Sequence, residues 1–494
     1  MRTAQARCFF PPIRYARELA ALLATVGLGA CTLQRDYVAP DLAAPAAWSV
    51  ASTSGDETAP ALDPAWWRAL GDPAIDALVE AAFADSPTLA HAVARMDEAQ
   101  AVLGVQSAAT LPALSASAAI TRAKSQNTMP LVASPTLLSN SLQAGPAFSW
   151  EIDLFGRVRH TVDAAQRRLD ARSADAGAAR LALAADVAST VTALRACDSA
   201  RGVLAADIAS RETTLPLTRL RLQAGFAPAV EEARARSGIA AVRNSLAAQD
   251  EQCARSLNAL VALSGMDAAG VALLVRAPAG PAGAAGAFVP RAPDAAPQLP
   301  ATVLARHPSV IAAEREAAAA WEDMGAARAQ RLPRLDLAAA LTGQWIRAAG
   351  STLNFAAWSL GASLGGTLFD GGAGSANLRA AEARYRQAEA SLRGTLRRTV
   401  QEVENALAAQ ESARRRALSS ADNVAAARTT LAASEAQWKA GAVSLFELEE
   451  SRRQFSAAQD AQISARRDQV QSWIALVKAT GAAITLNAES IDHE

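Results

Sequence analysis

The segment WSLGASLGGTL, residues 358–368, alternates large apolar side chains with Ser, Gly and Thr. Successive side chains of a β-strand point to opposite faces, so this period of two predicts a strand with one apolar and one small, polar face. The same alternation occurs in residues 335–345, 114–121 and 148–154. The sequence therefore predicts four strands, each with one apolar face.

The four strands fall into two halves of an internal repeat. Ser86-Pro87 recurs as His307-Pro308 at an offset of 221 residues, and Ala224-Gly225 recurs as Ala440-Gly441 at an offset of 216. An internal repeat indicates that both halves of the chain have the same arrangement of secondary-structure elements. Each half is predicted to contain a helix, two strands, a very long helix, a tight turn and a further helix.

The long helices are predicted from stretches that almost lack helix-breaking residues. Residues 156–223 contain a single proline, Pro216, and residues 374–439 contain none. A helix rises 1.5 Å per residue, so each stretch would span on the order of 100 Å. The shorter helices of the first half, residues 228–264 and 86–110, together match that length. Helices packed side by side, as in the wall of an extended cylinder, are the expected arrangement.

The strands predict a barrel in a membrane. An apolar face opposite a polar one suits a lipid-exposed barrel with a wet lumen, because backbone groups in lipid must be paired. Bacterial barrels hold at least about eight strands, so several chains must contribute. We predict an α+β membrane protein in which a trimeric, 12-stranded β-barrel, with four strands per chain, continues into a long α-helical barrel. The alternative is a pair of soluble hairpins packed on the helices.

Two tryptophans fit the barrel prediction. Trp345 and Trp358 are expected to flank the loop between the third and fourth strands. The polar boundary of the membrane should fall there, and amphipathic rings are favoured at such boundaries. The alternative is that they are ordinary core residues.

The N-terminus has the pattern of a lipoprotein export signal. Four arginines precede an uncharged apolar run, residues 19–30, which is followed directly by Cys31. The run is about a dozen residues long, whereas a membrane-spanning helix needs about 20, so a removed export signal is favoured. Cys31 is then the predicted lipidation site, and its covalent lipid is the only non-protein group expected. The alternative is a cysteine that follows an apolar run by chance.

A linker rich in Ala, Gly and Pro separates the two halves, because such a composition cannot hold a helix. The predicted segments are a signal peptide (1–30), a lipid-anchored and equatorial segment (31–85), the first repeat (86–275), the linker (276–300), the second repeat (301–481) and a C-terminal tail (482–494).

Composition and spacing argue against three other kinds of function. The 48 basic and 48 acidic residues cancel, which removes the main electrostatic argument for binding nucleic acid. The four histidines, His91, His160, His307 and His493, are not spaced with cysteines or acids as metal ligands would be. Neither a phosphate-binding glycine loop nor a nucleophile elbow occurs. We expect no catalytic residue, no metal site and no nucleic-acid partner.

Two cysteines are symmetrically placed about a predicted turn. Cys197 and Cys253 each lie 28 residues from Gly225, so they stand at the same level of an antiparallel helical hairpin. Facing positions on close helices can bring two Cα atoms within the roughly 4.4 to 6.8 Å that a disulfide needs. A disulfide and two free thiols both remain open, and in an oxidising exported compartment we hypothesise the disulfide.

Three stretches carry a resemblance to a known family: DPAWWR (63–68) followed by Gly71-Asp72-Pro73, WEIDLFGR (150–157) and LFDGG (368–372). Together with the repeat, they make nearly the whole mature chain similar to the outer-membrane factors of tripartite efflux pumps, the TolC and OprM type. Trp66-Trp67 resembles the start of the lipoprotein efflux branch. The resemblance implies a homotrimer with a barrel in outer-membrane lipid and a helical tunnel through the periplasm. It also implies a periplasmic adaptor and an inner-membrane pump, with a proton-driven antiporter favoured.

The resemblance places a gate and an adaptor-docking site at the turns that follow the long helices. Glycine supplies the positive φ that such reversals need. The implied docking residues are Gly225, Phe226 and Pro228 in the first turn and Gly441, Val443 and Ser444 in the second; the implied gate residues are Glu231, Trp438, Glu447 and Glu450.

The acidic gate residues have two interpretations. Three copies around an axis would form a carboxylate ring that attracts cations and narrows the opening. Alternatively, Glu447 and Glu450 are solvated carboxylates in the first turn of a helix, where they complement its dipole.

Three functions remain after these steps. The leading one is a passive exit duct for small toxic compounds across the periplasm and outer membrane. The second is the outer-membrane duct of a type I protein secretion system. The third is a structural envelope lipoprotein without an open pore. The transported substrate does not follow from the sequence, because in a duct of this kind selectivity resides mainly in the pump.

Overall fold

The computed structural model describes residues 35–40, 45–49, 65–125, 137–276, 289–290, 292–293, 300–348 and 350–481. The export signal, Cys31, the Asp63-Pro64 pair, most of the predicted linker and the C-terminal tail after residue 481 lie outside the described residues.

The chain forms two compact units, and each takes segments from both repeats. Unit 1 comprises Met1–Pro40, Asp97–Ala171 and Glu314–Ser391; unit 2 comprises Asp41–Met96, Arg172–Ala313 and Leu392–Glu494. The repeat and the compact units are therefore two different divisions of one chain.

The described part begins with a short 3-10 helix, Trp66–Leu70. The α-helices that follow are α1 (Pro73–Asp85), α2 (Pro87–Ala108), α3 (Arg157–Gln223), α4 (Ala229–Ser264), α5 (Ala268–Arg276), α6 (Pro300–Arg306), α7 (Pro308–Ala329), α8 (Ala373–Lys439) and α9 (Leu445–Ala479). The strands are β1 (Ala113–Ser125), β2 (Leu137–Ile152), β3 (Arg334–Ala348) and β4 (Ser351–Gly365). The two predicted long helices, α3 and α8, each have 67 residues, and Pro216 lies inside α3 without ending it.

The four strands of unit 1 form one antiparallel sheet in the order β1-β2-β3-β4. Its register places Leu114 opposite Phe148, Phe148 opposite Ala339 and Ala339 opposite Leu360, so one apolar row crosses all four strands. The next row, on the other face, consists of small or polar residues, such as Ser149 beside Ala338. The prediction of one apolar and one polar face is confirmed.

Two predicted strands extend too far at their ends. Leu154 lies beyond β2, and Leu368 lies beyond β4. The chain turns after β2 because the Asp153 carboxylate accepts a hydrogen bond from the Arg159 backbone N–H at 2.8 Å. After β4, Asp370 accepts from the N–H groups of Gly372 (2.8 Å) and Gly374 (2.6 Å), which holds the pKa of Asp370 below its usual range. Each aspartate closes a corner between a strand and a long helix.

The prediction that Trp358 lies at the loop is wrong. Trp345 is close to the end of β3, but Trp358 pairs with Leu341 well inside β4 and is 78% exposed on the apolar face. The connection is shorter than expected, because Gly350 (φ 80°) allows a tight reversal directly before β4 begins at Ser351. The high exposure also excludes a core position for Trp358 within this chain.

The core of unit 2 is built around the first signature stretch. Trp66 is 1% exposed and packs on Trp473 with ring centroids 5.7 Å apart. Asp72 caps α1 by accepting from the Ala74 N–H at 3.0 Å, and its carboxylate also binds Arg195 at 2.9 and 3.1 Å. The signature stretch is therefore a buried structural corner that ties α1 to α3.

The two cysteines of unit 2 are joined across α3 and α4. Cys197 and Cys253 form a disulfide with a Cα–Cα distance of 5.6 Å, and both residues are buried.

His307 makes the stability of unit 2 sensitive to acid. This residue is 7% exposed, its Nδ1 atom has no hydrogen-bond partner in the described part of the chain, and burial lowers its pKa to about 4. An unfolded histidine binds a proton near pH 6.5, whereas the folded one does so only near pH 4. As pH falls through this window, the free energy of unfolding should drop by about 3 kcal/mol.

The variant His307→Ser tests this expectation, because Ser86 occupies the equivalent position of the first repeat and does not titrate. Between pH 7 and pH 4.5, the thermal unfolding midpoint should fall less in this variant than in the wild type. His91→Ser, at an exposed position on α2, is the matched control. An equal fall in wild type and His307→Ser would contradict the assignment.

Candidate functional site

Unit 2 contains the two turns that link α3 to α4 and α8 to α9. Gly225 (φ 80°) and Gly441 (φ 77°) both adopt the left-handed conformation that the sequence predicted. In each turn a backbone N–H bonds back across five residues, from Phe226 to Arg221 and from Ala442 to Gln437, each at 2.9 Å. The two turns thus end their helices in the same way.

The residues after the glycines differ between the turns. Pro228 precedes α4 without a side-chain cap, whereas the Ser444 hydroxyl accepts a hydrogen bond from the Glu447 N–H at 3.4 Å. Phe226 is 85% exposed, but Val443 is half-buried against the apolar residues at the base of its turn. The first turn therefore presents an exposed Phe226 at the position where the second has Ala442.

The predicted acidic gate residues do not form one cluster. Glu447 is exposed, and Glu450 is held on its own helix by Arg453 at 2.6 and 2.9 Å. These bonds, with one from Gln454, lower the pKa of Glu450 to about 2. No hydrogen bond or ion pair joins Glu231 to either residue within the described chain. Glu450 remains ionised, but Arg453 compensates its charge.

Trp438 lies inside the base of the second turn. It is 3% exposed and packs with Ala235 of α4 and with Leu445 and Leu448 of α9. The Arg221 guanidinium lies 4.8 Å from the centre of the indole and donates to the Trp438 carbonyl at 2.9 Å. Trp438 therefore joins the two helical hairpins through packing.

A buried polar cluster, which we call the tip network, also joins the hairpins. It consists of Asp207, Arg211 and Thr214 on α3 and of Glu449 and Arg452 on α9. Arg211 bonds to Asp207 at 2.9 Å and to Glu449, while Arg452 bonds to Thr214 at 2.8 Å and to Glu449 at 3.2 Å. Glu449 is thus shared by two arginines from different hairpins.

The tip network is almost free of solvent. Arg211 is 7% exposed and Arg452 is 5% exposed, and burial lowers the pKa of Arg452. A Cβ atom on Gly238 of α4 would lie 2.8 Å from Arg211 Nη1, so this glycine leaves the space that the guanidinium fills. Charges buried in this way are costly unless they are paired, so the network favours one arrangement of the hairpins.

Sequence reasoning missed the tip network. Its signal was the charged run from Glu447 to Arg453, in which acidic and basic residues three apart share a helix face. Such runs are usually solvated, and the pattern within α9 does not reveal that Arg211, far earlier in the chain, faces it.

Three possible metal ligands come together in unit 1. His160, Asp163 and Glu322 each offer a ligand atom, and these atoms all lie within 4.8 Å of one another. His160 Nδ1 is already hydrogen-bonded to Glu322 at 2.6 Å, and Asp163 has a raised pKa because of burial and the nearby Glu322. A hydrogen-bonded pair explains this closeness without an ion.

Comparison with known proteins gives a consistent result. The model of the family described as outer membrane efflux protein matches residues 78–266 and 299–482. The outer membrane protein OprJ of Pseudomonas aeruginosa is 30% identical over 423 residues, which cover 82% of this chain and 84% of OprJ. The pyoverdine export outer membrane protein OpmQ of the same species is 28% identical, with 94% of this chain and 96% of OpmQ covered.

The fold agrees with solved structures of such channels. The outer-membrane channel OprN superposes with a TM-score of 0.80 at 25% identity, covering 92% of this chain and 99% of OprN. The Campylobacter jejuni CmeC outer membrane channel gives the same TM-score at 21% identity. The signature stretches, the repeat, the sheet and these matches lead to one conclusion: the chain belongs to the outer membrane efflux protein family.

Proposed function

We propose that three copies of this chain form the outer-membrane exit duct of a tripartite efflux system, through which small toxic compounds leave passively, and that the two turns carry its gate and its docking site. The family consists of outer-membrane channels, not enzymes, and its members work as trimers with adaptor proteins and inner-membrane pumps. The observation that supports the duct is the four-stranded sheet, in which an apolar row crosses all four strands and the outer edges of β1 and β4 pair with no other described strand.

Unpaired edges cannot persist in lipid, so the sheet must be completed by other copies of itself. With the apolar row facing lipid, the serines, glycines and threonines of the other face line the lumen, which suits the passage of polar solutes. This arrangement argues against a structural lipoprotein without a pore. The relatives named above include a pyoverdine exporter, which favours small molecules over secreted proteins as the cargo.

The gate is proposed to lie at the tip network, next to the residues predicted from the family. Glu449, Arg211 and Arg452 hold the two hairpins together, and Trp438 packs between them. Of the three predicted acidic gate residues, Glu447 is the exposed one and is therefore the best candidate for a ring of charge in a trimer. Opening would require the hairpins to exchange these internal partners for water or for an adaptor.

The membrane anchor is proposed to be a lipid on Cys31. Its support is the charged and apolar pattern of residues 1–30 that precedes it. One or more acyl chains at that position would add to the membrane affinity of the barrel. The intact mass of the purified chain distinguishes a lipidated chain that begins at Cys31 from an uncleaved chain that begins at Met1.

The pump partner is proposed to be a proton-driven antiporter, and photo-crosslinking from Phe226 in cells tests this. Phe226 is chosen because it is 85% exposed, whereas Val443 of the second turn is half-buried. Mass spectrometry should identify a periplasmic adaptor encoded with a proton-driven pump. Leu364, 67% exposed on the apolar face of the sheet, is the matched control and should capture no adaptor.

Two outcomes would change the proposal. Capture of the adaptor of an ATP-driven exporter would support the secretion alternative. A Phe226 probe that captures only other copies of the chain, in cells that contain the adaptor, would contradict docking at the first turn.

A further inference from the structure

A polar row crosses the apolar face of the sheet at the end away from the helices. Arg122 of β1 lies opposite Asn140 of β2, Asn140 lies opposite Arg347 of β3, and Arg347 lies opposite Thr352 of β4. Trp345 lies on the same face as this row. On β3 it is two residues farther from the β3–β4 loop than Arg347. This face therefore carries a row of hydrogen-bond donors near its loop end, with Lys124 and Leu138 beyond the row.

The charge at this end of the sheet is entirely positive. Residues 112–150 and 337–369 contain Arg122, Lys124 and Arg347 but no aspartate or glutamate. All three cations are exposed, and none forms an ion pair with a described residue. The connecting residues 126–136, which the structure does not describe, contain no acidic residue either. These stretches of sequence therefore contain no acidic residue that could neutralise the three cations.

The geometry suits phosphate groups. Neighbouring strands lie about 4.8 Å apart, so Arg122 and Arg347, with Asn140 between them, are separated by about 10 Å at the backbone. Lys124 is on the same face as Arg122, one side-chain repeat closer to the loop. Arginine binds phosphate oxygens in a bidentate manner, and an asparagine amide adds a neutral donor. Two phosphates of one headgroup could be bound along such a row.

The position of the polar row in the sheet indicates which phosphate-containing ligand it can reach. The helices leave the opposite end of the sheet, where Asp153 and Asp370 close the corners, and membership in the outer-membrane family implies that the helical end faces the periplasm. The row therefore lies at the outward boundary of the lipid-facing surface, beside an aromatic residue that favours such a boundary. The charged groups at that depth are lipid headgroups.

We propose that Arg122, Asn140 and Arg347, assisted by Lys124, form a binding site for the phosphate groups of an anionic lipid in the outward leaflet of the outer membrane. The site is separate from the duct and from the two turns. It rests on the proposed barrel, whose apolar face contacts lipid, and not on the proposed gate. A trimer would carry three such sites around its barrel.

Native mass spectrometry of the trimer tests this site with lipid A that carries two phosphates as the probe. Each cation near an anionic lipid surface contributes about fivefold in affinity. The double variant Arg122→Gln/Arg347→Gln should therefore bind this lipid about twenty-fold more weakly than the wild type. Arg334→Gln is the matched control, because Arg334 is exposed on the same strand, β3, at the opposite end of the sheet. It should leave binding unchanged.

A second arm uses the wild-type trimer and does not depend on the folding of a variant. Dephosphorylated lipid A should bind at least tenfold more weakly than the phosphorylated form, and added salt should reduce the difference. Equal binding of the two lipids would overturn the proposal. So would unchanged binding in a double variant that still forms trimers.

Discussion

Trimers that carry Glu449→Ala are expected to conduct ions in a planar bilayer at least about tenfold more often than wild-type trimers. The substitution removes the carboxylate that Arg211 and Arg452 share. Removing one partner of a buried ion pair costs about 3 to 5 kcal/mol, because the other charges stay buried without full compensation. A penalty of that size destabilises the closed arrangement, in which the two hairpins are joined. It is sufficient to shift the population toward the open arrangement by the expected factor.

Glu450→Ala is the control for this measurement. Glu450 is the next residue along α9, but its hydrogen-bond partners, Arg453 and Gln454, belong to the same helix. Its loss should leave conductance within about twofold of the wild type, because such exposed pairs contribute little. Cells that carry the two variants should differ in the same way: only Glu449→Ala should increase their sensitivity to a large antibiotic. Equal conductance in the wild type and Glu449→Ala would exclude the tip network as a restraint on the gate.

Cys253→Ala is expected to lower the free energy of unfolding by about 4 kcal/mol, because the disulfide to Cys197 closes a loop with a sequence separation of 56 residues. The denaturant midpoint of the purified trimer is the measurement. Reducing agent should lower the wild-type midpoint toward that of Cys253→Ala and leave the variant itself unchanged.

Alkylation without reductant provides an independent check of the same bond. The mass of the mature chain should not change, because Cys197 and Cys253 are joined, Cys8 is removed with the predicted export signal and the Cys31 thiol is proposed to carry lipid. Ser256→Ala is the matched control for Cys253→Ala in the denaturant measurement. Ser256 is also buried on α4, and its hydroxyl donates only to the Gln252 carbonyl of its own helix. Two added alkyl groups on Cys197 and Cys253 would show free thiols and remove the expected stabilisation.

The fold could be predicted from local patterns because each pattern has a direct physical meaning. Alternation in residues 335–345 requires a strand with two unlike faces, and the register confirms it. The reversals at Gly225 and Gly441 required positive φ, and both have it. The ends of the strands were predicted less well, because Asp153 and Asp370 form corners through their side chains, which no periodicity reveals.

The site could be predicted only in part. The turn glycines are visible in the sequence, and the family resemblance implied Glu447 and Glu450 as gate residues. The arginine that compensates Glu450 lies only three residues away, yet whether two such residues bond depends on their rotamers. The tip network depends on burial between α3 and α9, and residues more than 200 positions apart are brought together by packing alone.

The sheet of each chain has two free edges, β1 and β4, and a defective subunit can therefore inactivate the channel in a dominant-negative way. In a closed ring of three, every subunit forms two of the three seams, so one chain with a damaged edge strand spoils the whole barrel. If half of the chains in a cell were defective and assembly were random, only about one barrel in eight would be intact. In a cell that also carries a wild-type copy, a missense allele that preserves one edge and destroys the other would therefore leave fewer intact barrels than a deletion of that copy.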